Sequence, residues 1–261
     1  MNGNTSKAIS DIIIGDILHD NSRVTGTMKM SISNNCMYNL NDILVTGTHR
    51  VYHNTKCWIS ILEHPDAYKI NNYRENIVYC LNTNTKTIKI NNFTFSDWDD
   101  LDDIDLRQIN ERCLFLPKNI DNNNIHKYLD NGFEENTLIE LEVGTFSKIK
   151  DIEINDILRF GETVLGIIKI DSTDLHIINE YKFKNNNILK CTNNIELYHK
   201  NLGNINTNKL NGTHITIRNY LYQLITDKGY YHIGEFRVND YNATIEQYLD
   251  NTEFYSQNIS I

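Results

Sequence analysis

The chain has 261 residues, 40% of them hydrophobic and 23% charged, which suffices for one large or two ordinary packed domains. Its net charge of −9 and pI near 5.4 argue against a broad nucleic-acid-binding face. No apolar run approaches the roughly 20 residues needed to span a bilayer, and no secretory signal is visible, so a cytoplasmic protein without a membrane partner is expected.

The first informative stretch is Ile9-Ser10-Asp11-Ile12-Ile13-Ile14-Gly15-Asp16-Ile17-Leu18, which reads as the entry to a β-rich unit. Next comes Ile43-Leu44-Val45-Thr46-Gly47-Thr48-His49-Arg50-Val51-Tyr52, whose apolar and β-branched flanks read as a buried strand. It carries Thr46 and His49 three positions apart across a Gly. A histidine beside a threonine hydroxyl can orient and protonate a peptide bond. Equally, its ring can simply be satisfied by a neighbouring carbonyl. His53 lies four residues beyond His49, too far along a strand for a metal pair. His64-Pro65-Asp66 reads as a turn, and Trp58 as core.

Thr87–Ile90 alternates like a half-buried strand. The acidic run 97–105 is expected to open a helix over about 101–113, its carboxylates solvated at the helix N-terminus. Further helices are expected near 120–129 and 244–249. The segments 137–141 and 213–217 read as strands, with Asn-Gly turns at Asn2-Gly3 and Asn211-Gly212. The Asn runs, such as Asn122–Asn124, reflect a coding bias more than a function. Five cysteines, Cys36, Cys57, Cys80, Cys113 and Cys191, form no CxxC pair. Their odd number suits a reducing compartment, with neither a disulfide framework nor a structural metal.

Most of this is written twice. The stretch beginning at Ile9 recurs 140 residues on, as Ile149-Lys150-Asp151-Ile152-Glu153-Ile154-Asn155-Asp156-Ile157-Leu158. Tyr79-x-Leu81-x-Thr83 recurs 143 residues on, at Tyr222-x-Leu224-x-Thr226. Between them, Val51-Tyr52-His53 meets Leu197-Tyr198-His199 at a shift of 146. Three collinear matches indicate a duplication. The expected domains are a first unit over 1–115, a helical connector over 116–131 and a second unit over 132–261. The fold class is mostly β.

Together these segments resemble the Hint superfamily, the fold of hedgehog autoprocessing domains and inteins, here in a tandem form most like that of large DNA viruses. Thr46-x-x-His49 is similar to that family's Thr-x-x-His motif. The 137–141 strand with Ile149–Leu158 resembles its opening segments, and Val78-Tyr79-Cys80-Leu81 through Trp98 its late motif. The resemblance implies self-processing begun by an N-terminal Cys or Ser, without a cofactor or metal. The pattern departs at the nucleophile. The first copy starts at Met1, after the place of its opening strand, so an unpaired edge is expected there, a natural site for a fused or separate polypeptide. In the second copy Gly132 stands where the Cys belongs, and Ile195 replaces His49 although Thr192 matches Thr46. Asp97-Trp98-Asp99 and Asp240-Tyr241-Asn242 replace the terminal His-Asn. The resemblance thus implies either a degenerate binding or structural module, or processing by Cys80 with Thr46 and His49. Cys80 is equally read as a small buried hydrophobe.

Overall fold

Strands here are runs of β-branched and aromatic residues, and the reversals between them fall on residues that tolerate the left-handed region. Asn21, Asn41, Asp42, Asn72, Asn91, Asp100 and Asn155 all have positive φ. The Asn bias is therefore put to use in turns, where the short side chain offsets the cost of αL geometry. The computed structural model describes residues 6–32, 37–53, 57–112, 120–175, 177–183, 188–217 and 219–250. The chain is mostly β. It divides into two units, Met1–Asp103 and Ile104–Ile261.

Unit 1 contains β1 (Val24–Ser31), β2 (Met37–Leu40), β3 (Ile43–Thr46), β4 (Arg50–His53), β5 (Cys57–Ser60), β6 (Ala67–Lys69), β7 (Ile77–Thr83), β8 (Thr87–Ile90) and β9 (Phe93–Ser96). β1 and β7 form a long antiparallel ribbon from Val24↔Thr83 to Ser31↔Ile77, with a bulge between Val24 and Gly26. A three-stranded sheet has the order β3-β2-β6, and a four-stranded sheet the order β5-β4-β9-β8. Val24, Leu40, Val51, Ile61, Leu81, Ile88 and Phe95 make the core, and Val45 of β3 and Cys80 of β7 both pack against it.

Unit 2 begins in α1 (Asp103–Arg112), continues through α2 (His126–Leu129) and ends in α3 (Tyr241–Asp250). Between α2 and α3 lie β10 (Phe133–Glu134), β11 (Leu138–Glu140), β12 (Phe146–Lys148), β13 (Val164–Asp171), β14 (Ile178–Lys182), β15 (Ile188–Thr192), β16 (Glu196–His199), β17 (Gly203–Asn206), β18 (Thr213–His214), β19 (Tyr220–Thr226), β20 (Tyr230–Ile233) and β21 (Phe236–Asn239). The main sheet runs β18-β14-β15-β10-β19-β13, beside a β11–β12 hairpin and a β17-β16-β21-β20 sheet. Phe133 of β10 pairs with Cys191 on one side and Tyr222 on the other, and it is fully buried in the unit's core.

The same hydrogen bonds recur at the shifts read from sequence. β13 and β19 pair from Val164↔Thr226 with a bulge between Val164 and Gly166, the β1–β7 register moved by 140 and 143. Asn84 Oδ1 accepts from Arg23 N at 2.7 Å, and Asp227 Oδ1 from Thr163 N at 2.8 Å. Gly15 N donates to Val24 O at 2.9 Å, and Asn155 N to Val164 O at 2.8 Å.

Several expectations need correction. Ile43–Tyr52 is not one strand: β3 stops at Thr46 and β4 starts at Arg50, and 47–49 turn between them. Gly47 permits that turn because a Cβ there would meet the Tyr38 ring at 2.6 Å. Asn211-Gly212 makes no hairpin turn, and the strand after it stops at His214. Gly212 is small because Tyr181 lies where its Cβ would point. Trp58 is half-buried and meets Tyr52 edge-on, since β5 is an edge strand of its sheet. Only the later part of the acidic run opens the expected helix, which runs Asp103–Arg112. Asp97 and Asp99 are buried and turn back onto β7, and the helix starts only at Asp103. Asn2-Gly3, Cys36 and Cys113 lie outside the described residues.

Candidate functional site

The turn after β3 brings Thr46 and His49 together. His49 N donates to Thr46 O at 3.2 Å, and the turn is tied to the next element by Ile61 N to His49 O and Leu62 N to Gly47 O, both 2.9 Å. The His49 ring stacks on Phe95 with centroids 6.0 Å apart. Enclosure of the ring lowers its pKa, against the opposing pull of Asp100 and of a hydrogen bond to the Ser96 backbone. Asp100 is itself held: Ser96 Oγ donates to its Oδ1, and Arg50 Nη1 donates to its carbonyl at 3.2 Å. Enclosure thus favours the neutral imidazole and makes it a weaker base than an exposed histidine.

Cys80 sits on β7 opposite Met28. Although the residue is half-buried, its sulfur is enclosed, with Leu81 O at 3.8 Å. Burial pushes the thiol pKa up, and Asp97, Asp100 and Asp99 push it further. The nucleophile in such chemistry is the thiolate, so this setting works against attack. His49 stacks on Phe95, and Cys80 packs against the core cluster that contains Phe95, so both border the core of unit 1.

Behind Cys80 lies a group not anticipated from sequence. Lys86, only 2% exposed, places Nζ 2.5 Å from Asp99 and 3.6 Å from Asp97. Asn82 Nδ2 donates to Asp99 at 3.1 Å, and Asp97 Oδ2 accepts from Thr83 N at 3.0 Å. Lys86 has φ +59°, and its equivalent in unit 2 is Gly229 at φ +71°. A lysine aligned with a left-handed glycine was the available signal: the position keeps its backbone shape at a cost, for the sake of its side chain.

In unit 2 the corresponding place is closed. Gly132 N donates to Thr192 Oγ1 at 3.3 Å, and Thr192 N to Gly132 O at 3.2 Å. A Cβ at Gly132 would lie 3.0 Å from both Leu221 Cβ and Tyr222 O, so even a cysteine methylene is crowded there. Asn131, fully buried, accepts from Gln223 Nε2 at 3.0 Å, and Gln223 stands where unit 1 has Cys80. Ile195 replaces His49 in the same turn: Thr207 N donates to its carbonyl at 2.9 Å, as Ile61 does to His49. Asp240 repeats Asp97 by accepting from Thr226 N at 2.9 Å, and it also caps α3 through Ala243 N. Burial nonetheless raises its pKa, with those bonds opposing.

His53 faces His64 edge-on at 5.3 Å, and His64 in turn meets Phe93 at 5.8 Å. Among the described residues no three of His, Cys, Asp and Glu group as metal ligands, and no helix is long and apolar enough to cross a membrane.

No family model matches the chain, and no curated protein matches it. Solved structures do. The gp41-1 intein is similar at 12% identity, covering 42% of this chain and 99% of its own, with a TM-score of 0.33. A substituted form of that intein matches at 10% identity over 42% of this chain and all of its own, TM-score 0.33. The DnaB intein of Synechocystis sp. PCC 6803 matches at 13% identity over 42% of this chain and 99% of its own, TM-score 0.32.

Proposed function

We propose that the chain is a tandem pair of Hint-like units, derived from self-processing domains, that now binds another polypeptide and cuts none. The Thr46-x-x-His49 and late-motif resemblances support the family, and the recurrent hydrogen-bond frame supports the duplication. The Asn and Ile bias fits the AT-rich coding of the viral tandem proteins that the sequence resembles.

One observation carries the loss of chemistry. Cys80 Sγ is enclosed against Leu81 O, and burial, with Asp97, Asp100 and Asp99 adding to it, raises its thiol pKa and so disfavours the thiolate. The place of the missing nucleophile in unit 2 is glycine with little room for more. The test is the intact mass of the full chain fused behind a carrier protein, incubated near neutral pH with dithiothreitol or hydroxylamine. A mass unchanged over a day is expected. Cleavage that disappears in Cys80→Ala or His49→Ala would instead establish active autoprocessing through those residues.

A further inference from the structure

Phe133 and Glu134 are the whole of β10, yet they join two halves of unit 2: Phe133 pairs with Cys191 on β15 and Tyr222 on β19, and Glu134 pairs with Leu221. At the shifts that superpose the units, those partners become Val45 on β3, Tyr79 on β7 and Val78. Among the described residues nothing pairs with β3 beyond β2, and within unit 1 nothing pairs with β7 beyond β1. The exposures follow. Cys191, Thr192, Leu221 and Gln223 are buried, whereas Val45, Thr46, Val78 and Cys80 are half-exposed and Tyr79 is 39% exposed.

We infer that unit 1 takes, between β3 and β7, an extended segment of another polypeptide in which a small residue is followed by an aromatic and then acidic residues. Unit 2 holds the template, Gly132-Phe133-Glu134-Glu135. The small residue sits against the strand backbone as Gly132 does against Tyr222. The aromatic ring drops onto the core at Ile88, the counterpart of Tyr231, which Phe133 meets edge-on at 6.3 Å. Charge fits as well. In unit 2 Glu135 acts electrostatically on Lys169 and lies 3.7 Å from Lys150. Lys29 stands at the place of Lys169, exposed and opposite Tyr79. Unpaired edges flanking an apolar floor are how a sheet recruits a strand: main-chain bonds supply affinity, and alternate side chains supply selectivity.

This inference rests on reading unit 1 as a binding unit, and the intact-mass assay above reports on that reading separately. The probe is a fluorescein-labelled peptide of residues 129–137, titrated into the full chain, with the site located by amide hydrogen exchange. Saturable binding is expected, with amides of β3 and β7 slowed at saturation and those of β15 and β19 unchanged. Binding should weaken at least tenfold when the peptide carries Phe133→Asp or the chain carries Tyr79→Asp, and several-fold with Glu135→Lys in the peptide. Absence of saturation, protection confined to unit 2, or equal binding by Tyr79→Asp would overturn it. So would β3 and β7 amides already slow without peptide, since the chain itself would then fill the place.

Discussion

In unit 2 a two-residue strand stands between β15 and β19 with Phe133 fully buried, while in unit 1 the equivalent edges of β3 and β7 meet no described strand. The late turns differ in the opposite sense. Unit 2 manages with Gly229 and the single buried carboxylate Asp240, while unit 1 has Lys86 clamped by Asp97 and Asp99. One backbone frame has thus been finished in two ways. Unit 2 is completed by burial of an aromatic strand. Unit 1 is tied at its base by ions, and among the described residues no strand fills the equivalent edge. The difference teaches that the frame depends on its main-chain bonds and the Thr–Asp contact shared by both units, and that the rest can be exchanged.

Phe133→Ala should break the comparison most strongly, by making unit 2 resemble unit 1. Removing a fully buried Phe costs about 3–5 kcal/mol, and here it also frees two strand edges. Exchange of the β15 and β19 amides should rise while the fluorescence of Trp58 and Trp98, both in unit 1, stays unchanged. Lys86→Met tests the other side, since breaking a buried ion cluster costs about 3–5 kcal/mol. The double variant Lys86→Gly/Asp99→Asn copies Gly229 and Asn242 and should recover at least half of that loss. Both are read from urea midpoints of the tryptophan signal.

Smaller effects sharpen the same contrast. Gly47→Ala drives a Cβ into the Tyr38 ring and should cost about 1–3 kcal/mol, destabilising the turn that carries His49. A pH effect should also divide the units. Burial lowers the pKa of His49 and of His64 in unit 1, so each binds its proton less readily folded than unfolded. Their contribution is complete above the unfolded value of 6.5 and is lost as pH falls through the depressed folded values. The urea midpoint of unit 1 should therefore drop as pH falls below about 6.5, and His49→Gln should flatten that slope.

The mostly-β fold and its periodic strands were legible because β-branched runs and turn residues are local signals. The Thr46/His49 proximity was legible too, though as a turn where a strand was expected. That error came from apolar flanks around a glycine, whose role is close approach to Tyr38 and depends on a strand elsewhere in the chain. The acidic run misled for a related reason. Asp97 and Asp99 look like helix-start residues, and only the return of the chain onto β7 shows them meeting Lys86. At Gly132 the sequence shows only a residue without a side chain, and its crowding by Leu221 and Tyr222 is a tertiary fact.

The most direct test of the central contrast is hydrogen exchange of the unliganded full chain, comparing β3 and β7 with β15 and β19 residue by residue. The outward amides of β3 and β7 should exchange at least a hundredfold faster than their counterparts flanking β10. Equal protection at the two places would contradict the account, because unit 1 would then be closed as completely as unit 2.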